Sequence, residues 1–274
     1  MREINYKLIA SDFDGTLITN DQQIPDSVKN AVNEYVSNGG IFAICTGRML
    51  KSILPRAREL NLKGLIAAYQ GTLIADIESG KILKDGGMSA EDTAEVCRYL
   101  EESGCNINVY CDEQLYSNID KSNKALKIYE EITGVDANYV SGNISDFVIE
   151  NAKPCYKIAC LVLPSERDKL YNKIRKEYSN RFDVTCSASV LVEISPLCDN
   201  KGNALEYIAN YYGMDLSQTV AIGDNLNDLS MIEKAGIGCA VGNAEQRLKN
   251  SADFVAITNN EGAVAQIIEK FGFK

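Results

Sequence analysis

The sequence predicts an α/β protein: a doubly wound parallel sheet core interrupted by an inserted α+β domain. Three observations point there. Short apolar runs recur, each followed by a turn and then by a stretch with helical spacing. The middle of the chain changes to a mixture of strands and helices. At 274 residues the chain suits two domains better than one.

Residues 6 to 11 read as a buried strand running into Ser11-Asp12-Phe13-Asp14-Gly15-Thr16-Leu17. Val28, Ala31, Val32, Tyr35 and Val36 recur at helical spacing from about Pro25 to Asn38, and Gly39-Gly40 ends that helix. Ile41 to Cys45 is a second strand, leading into Thr46-Gly47-Arg48; the helix beyond it is expected to bend or divide at Pro55. Leu65 to Tyr69 forms a third strand and Gln70-Gly71 a turn, while Thr72 to Ile74 and Lys81 to Leu83 make a hairpin around Ser79-Gly80.

A boundary falls near Asp85-Gly86-Gly87. The insertion then opens with an amphipathic helix from Ser89, carrying Ala94, Val96, Cys97 and Leu100. Strands follow near Ile107 to Cys111 and Leu115 to Ser117, then a helix through Leu126, Ile128 and Tyr129. A strand at Ile158 to Leu163, a helix over about Glu166 to Tyr178, and strands at Phe182 to Cys186 and Leu191 to Ser195 complete it. The expected division is a discontinuous core at 1–84 and 190–274, with the insertion at 85–189. Tyr110, Tyr116 and Tyr156 are expected to fill the insertion's own core.

Asp199-Asn200-Lys201-Gly202 opens the next helix, with Ala204, Leu205, Ile208 and Ala209 facing inward. Thr219 to Ile222 is a buried strand that delivers Gly223-Asp224-Asn225-Leu226-Asn227-Asp228, followed by a helix holding Leu229, Met231 and Ile232. Ile237 to Val241, Gly242-Asn243-Ala244, a strand at Phe254 to Ile257 and a helix through Val264, Ile267 and Ile268 end the chain.

Composition narrows the chemistry. With 28 basic and 38 acidic residues the net charge is −10, which argues against a nucleic-acid or anionic-membrane footprint. Histidine is absent, which removes Ser-His and Cys-His hydrolases and any imidazole metal site. The nine cysteines are odd in number and show no C-x-x-C spacing, so a reduced, cytoplasmic setting suits them. No run approaches the roughly 20 apolar residues of a membrane span, and the expectation is a soluble, unexported protein.

Asp12 and Asp14 stand one residue apart where a strand meets a glycine turn. Two carboxylates so placed repel each other and need a cation or a shared proton to remain ionised, and magnesium is the natural candidate. Such a pair also suits a solvated turn, but three distant partners speak for a site. Thr46 and the amides near it, at a strand's carboxyl end before a helix, suit phosphate oxygens as well as an N-cap. Lys201 lies at a helix N-terminus, where a cation gains nothing from the dipole, so it is either a solvated lysine or a phosphate ligand. Asp224 can share a metal with Asp12, while Asn227 or Asp228 can cap the helix after it or support the ligands. Ligands of open parallel sheets gather at the carboxyl ends of strands, where Asp12, Thr46 and Asp224 fall, and Lys201, beginning a helix, can meet them on the same edge.

D-F-D-G-T-L, T-G-R, N-K-G and G-D-N-L-N-D, in this order, resemble the four motifs of the haloacid dehalogenase superfamily, and the insertion's size and place resemble its Cof-type phosphatases with a C2-type cap. The resemblance implies a Rossmann-like core and a Mg²⁺-dependent phosphatase for small phosphorylated metabolites such as sugar phosphates, pyridoxal phosphate or flavin mononucleotide. It implies Asp12 as nucleophile, forming an aspartyl-phosphate, and Asp14 as acid and base. Asp12, the Asp14 main-chain carbonyl and Asp224 would hold the metal. The Phe13 amide, Thr46, Gly47, Lys201 and Asn227 would hold phosphate, with Asp228 supporting them. Relatives often show Asn-Gly where this chain has Gln70-Gly71, a change expected to touch loop geometry or substrate contact. A phosphomutase with a similar cap and a non-catalytic binding protein are the alternatives. A monomer or homodimer is expected.

Overall fold

The computed structural model describes residues 2–119, 122–152, 154–188, 190–197 and 199–274, with the side chains of 125, 132, 133, 187 and 188 left aside. They divide into two compact units: 1–47, 53–84 and 200–274 form the first, and 48–52 with 85–199 the second.

The first unit begins with β1 (Leu8–Ser11), α1 (Asp26–Ser37), β2 (Ile41–Cys45), α2 (Leu50–Glu59), β3 (Leu65–Ala68), β4 (Leu73–Asp76) and β5 (Ile82–Asp85). Helix α2 runs through Pro55 without dividing, which leaves a bend as the only form the expected interruption can take. A proline removes a single helical hydrogen bond, and the apolar side of α2 still buries Ile53 and Ala57. The β4–β5 hairpin forms as expected: the Asp76 carboxylate accepts from the Ser79 amide at 2.8 Å and its hydroxyl at 2.6 Å, and Gly80 takes the positive φ that the turn requires.

The second unit contains α3 (Ala90–Glu102), β6 (Asn106–Cys111), β7 (Gln114–Ser117), α4 (Lys124–Thr133), β8 (Ala137–Tyr139), α5 (Ile144–Asn151), β9 (Cys155–Leu161), α6 (Pro164–Tyr178), β10 (Phe182–Ala188) and β11 (Leu191–Pro196). The strands form one sheet in the order β10-β11-β9-β6-β7-β8. Apolar residues of α3, α5 and α6 join Ile107, Val109, Ile158, Cys160, Val192 and Ile194 in its core. The sequence reading missed β8 and α5, whose short apolar stretches carry little periodicity. β11 pairs with β9 and β10, so this unit runs to Asp199 rather than 189, a position that itself lies outside the described residues. Tyr110 and Tyr156 are buried, and Tyr116 packs against Phe147.

The chain returns to the first unit with α7 (Lys201–Tyr211), β12 (Thr219–Gly223), α8 (Leu229–Lys234), β13 (Ile237–Ala240), α9 (Gln246–Ser251), β14 (Phe254–Val255) and α10 (Ala263–Ile267). Its sheet has the order β14-β13-β12-β1-β2-β3-β4-β5. Every pairing from β14 to β3 is parallel, and β4 runs antiparallel to β3. All four residues of β1 and all five of β12 are buried, as expected of parallel strands covered on both faces. Among the described residues no helix is long and apolar enough to cross a membrane.

Candidate active site

The strand order decides where the motifs meet. β1 lies between β12 and β2, with Ser11 level with Ile222 on one side and Ile44 on the other. The chain therefore leaves all three strands at one edge, carrying Asp12, Thr46 and Asp224 together at a point where the order of strands reverses. The Asp12 amide donates to the Ile222 carbonyl at 2.9 Å, extending the β1–β12 ladder by one residue.

Lys201 occupies the centre. Its side chain is 0% exposed, and its Nζ donates at 2.5 Å to Asp12 Oδ1 and at 2.5 Å to Asp228 Oδ1. The solvated-lysine reading is therefore excluded. Asn200 caps α7 by accepting from the Asn203 amide at 3.0 Å, which sets the first turn that aims Lys201 inward. Gly202 lets α7 approach α8: a Cβ there would lie 2.4 Å from the Ser230 carbonyl oxygen.

Asp228 is fully buried, and its second oxygen accepts from the Asp224 and Asn225 amides at 2.9 and 3.0 Å. It ties the turn after β12 to Lys201. The turn's cap is Asn225, whose side chain accepts from the Leu226 amide at 2.7 Å. Neither Asn227 nor Asp228 gives α8 a side-chain cap by itself. Asn227 instead donates to Gln70 Oε1 at 3.2 Å.

Asp224 receives a hydrogen bond from the Thr16 hydroxyl at 2.9 Å. Gly15, at φ +74°, passes so close that a Cβ would lie 2.6 Å from Asp224 Oδ2. The two acidic motifs are thus packed against each other. Oxygens of Asp12, Asp224 and Asp228 lie within 4.8 Å of one another. Asp14 is half-buried in the turn after β1, and Phe13 is fully buried.

Electrostatics show which acids lack compensation. Burial, followed by repulsion from Asp228, pushes the Asp224 carboxyl up to about 6. Burial also drives Asp12 well above the ordinary range despite the attraction of Lys201. For Lys201 burial acts downward, but Asp12 and Asp228 together outweigh it and raise the ammonium above its ordinary value. One lysine among three acids leaves negative charge in excess, and an all-carboxylate donor set suits a hard divalent cation. Asp12 and Asp224 fit such an ion, whereas Asp228 is already engaged by Lys201 and two amides.

The end of β2 shares this environment. Burial pushes the Cys45 thiol up to about 12, with the charges of Lys201, Asp12 and Asp228 acting on it as well. Thr46 is buried, donates its amide to the Ala67 carbonyl at 2.9 Å and accepts from the Gln70 amide at 2.8 Å. It stands four residues before α2, so it is not that helix's cap. Gln70 is itself buried at φ 61°, and a Cβ on Gly47 would lie 2.6 Å from its Nε2. Gln70 therefore links the Gly47 loop to Asn227. Sequence reading noted Gln70 only as a departure and gave Thr16 no role of its own, although Thr16 belongs to the first motif.

The fold is thus a doubly wound α/β sheet that gathers three acids and a buried lysine at its carboxyl edge. The chain belongs to the haloacid dehalogenase-like hydrolases, whose family model matches residues 9–268. It is 29% identical to the Bacillus subtilis 5-amino-6-(5-phospho-D-ribitylamino)uracil phosphatase YwtE, with 96% of this chain and 97% of that protein covered. It is 27% identical to the HMP-PP phosphatase of Serratia proteamaculans, over 89% and 87% of the two chains. The crystal structure of a haloacid dehalogenase-like hydrolase from Bacteroides thetaiotaomicron matches with a TM-score of 0.85 at 25% identity, covering 97% of this chain and 99% of that one.

Proposed function

We propose that the protein is a Mg²⁺-dependent phosphatase of small phosphorylated metabolites, working through an aspartyl-phosphate on Asp12. The observation that carries this reading is Lys201, fully buried and held at 2.5 Å from Asp12. An enzyme that brings a phosphate dianion to a carboxylate nucleophile needs fixed positive charge at that carboxylate, and Lys201 supplies it.

Asp12 attacks phosphorus and the bond to the leaving oxygen breaks, with Asp14 donating the proton that oxygen needs. Asp14 then takes a proton from the water that hydrolyses the aspartyl-phosphate, which returns Asp12 to its carboxylate form. The Phe13 amide, Thr46, Gly47, Lys201 and Asn227 hold the phosphate oxygens. Asp228 keeps Lys201 oriented. Bound to Asp12, the Asp14 carbonyl and Asp224, Mg²⁺ supplies the charge compensation that these acids and the phosphate require.

The unit formed by 48–52 and 85–199 is proposed to serve as a C2-type cap that selects the substrate. The relatives named above carry different substrates in their names, so the panel to test is broad: sugar phosphates, pyridoxal phosphate, flavin mononucleotide and similar small phosphorylated compounds. A reduced, cytoplasmic setting accords with the free thiols among the described residues, and the protein is proposed to act as a monomer or homodimer.

The test is hydrolysis of p-nitrophenyl phosphate with and without Mg²⁺, beside Asp12→Asn, followed by a panel of phosphorylated metabolites. Turnover is expected to require Mg²⁺ and to fall on the order of a thousandfold or more in the variant. Absence of turnover on every compound by folded, Mg²⁺-loaded protein would sink the proposal.

A further inference from the structure

Cys111 closes β6 and Cys155 opens β9, and the two face each other across an antiparallel pair. A bulge puts them there. Tyr110 faces Lys157, but the next residue, Cys111, faces Cys155, so Tyr156 is the extra residue on its strand. In unbroken register Cys111 would face Tyr156.

The kind of pairing follows from Met88. The Cys155 amide donates to the Met88 carbonyl at 3.1 Å, and the Cys155 carbonyl accepts from the Met88 amide at 2.8 Å. In an extended strand a residue's N–H and C=O leave on the same side, so Cys155 turns both away from Cys111. The two cysteines therefore form a non-hydrogen-bonded pair, in which facing Cα atoms approach to about 4.5 Å and side chains lie closest. That spacing falls within the roughly 4.4–6.8 Å that disulfides span. Facing residues share one side of a sheet, and both thiols lie in the same buried apolar cluster, at 3% and 0% exposure.

We infer that Cys111 and Cys155 are a reversible oxidation site that closes a cross-strand disulfide at the root of the β6–β7 turn. The Cys155 thiol also donates to the Lys157 carbonyl at 3.3 Å. Burial acts to raise that thiol, but hydrogen bonding with Cys111 and with neighbouring backbone groups outweighs burial and holds it below the ordinary thiol range. With oxidised glutathione as the oxidant, one cysteine thiolate attacks the reagent's disulfide and releases one glutathione thiol. The second cysteine thiolate then displaces the other glutathione and forms the S–S bond. The protein gives up two protons and two electrons, which end on the two glutathione thiols.

The test uses the full chain, incubated with oxidised glutathione both as native protein and during refolding from urea, so that access does not limit the reaction. The product is denatured, alkylated with N-ethylmaleimide and weighed. Reduced protein carries nine adducts, one for each cysteine. The oxidised protein is expected to carry seven, with no retained glutathione, and to return to nine after dithiothreitol. Cys105→Ala should still lose two thiols on oxidation, whereas Cys111→Ala and Cys155→Ala should not. A peptide map joining Cys111 to Cys155 in wild-type protein makes the same test without any substitution. Nine adducts under both regimes, or a two-thiol loss that persists in Cys111→Ala and Cys155→Ala, would overturn the inference.

Discussion

Lys201 shows how one side chain can organise several loops. Its ammonium is shared between Asp12 and Asp228, and burying it is tolerable only because both acids are present. Removing one side of such a buried network leaves the other uncompensated. Lys201→Met should therefore cost about 3–5 kcal/mol of stability in metal-free protein at neutral pH, read from urea unfolding, as well as abolishing phosphatase turnover. A loss below about 1 kcal/mol would show that the acids relax into solvent instead. The sequence identified Lys201 as a candidate through its position at a helix start, but could not show its burial, because burial depends on what packs above it.

At the scale of elements, the approach of α7 to α8 sets the height at which Lys201 meets Asp12. Gly202 makes that approach possible, since its amide donates to the Ser230 hydroxyl at 3.0 Å and a side chain would strike the Ser230 carbonyl. Gly202→Ala should cost about 1–3 kcal/mol through forced separation of the two helices. It should also lower turnover with little change in secondary structure by circular dichroism. An alanine variant as stable and active as the parent would mean that α7 shifts freely. The periodicity of α7 was legible because its apolar residues repeat locally. Pro55 marks the limit of local reading: proline chemistry allows a bend or a break, and burial of the helix's apolar side decides against the break.

For the whole molecule, the site concentrates acids that only a counter-charge makes comfortable. Asp224 titrates at about 6 in the folded protein, against about 3.9 in an unfolded chain. Between those values the folded state holds more protons, so raising the pH from about 4 to about 6 removes stability from the metal-free protein. A divalent cation that binds only the folded, ionised site should restore it, by about 2.7 kcal/mol at a hundred times its dissociation constant. The thermal midpoint is thus expected to rise on adding Mg²⁺, and by more at pH 7.5 than at pH 5. Equal shifts at both pH values, or none, would separate Asp224 from cation binding.

Local pattern was enough to read the parallel core, the order of its motifs and most of the residues now found together. Apolar runs, turn glycines and helical spacing act over a few residues, and strand ends in such a sheet collect ligands whatever the strand order. Contacts made by partners far apart along the chain were beyond it. Gln70 meets Asn227, Thr16 meets Asp224, and β11 joins the second sheet only because non-local pairing brings them together. The Cys111–Cys155 pairing depends on a single bulge residue, since one residue of register decides which side chains face each other across a sheet.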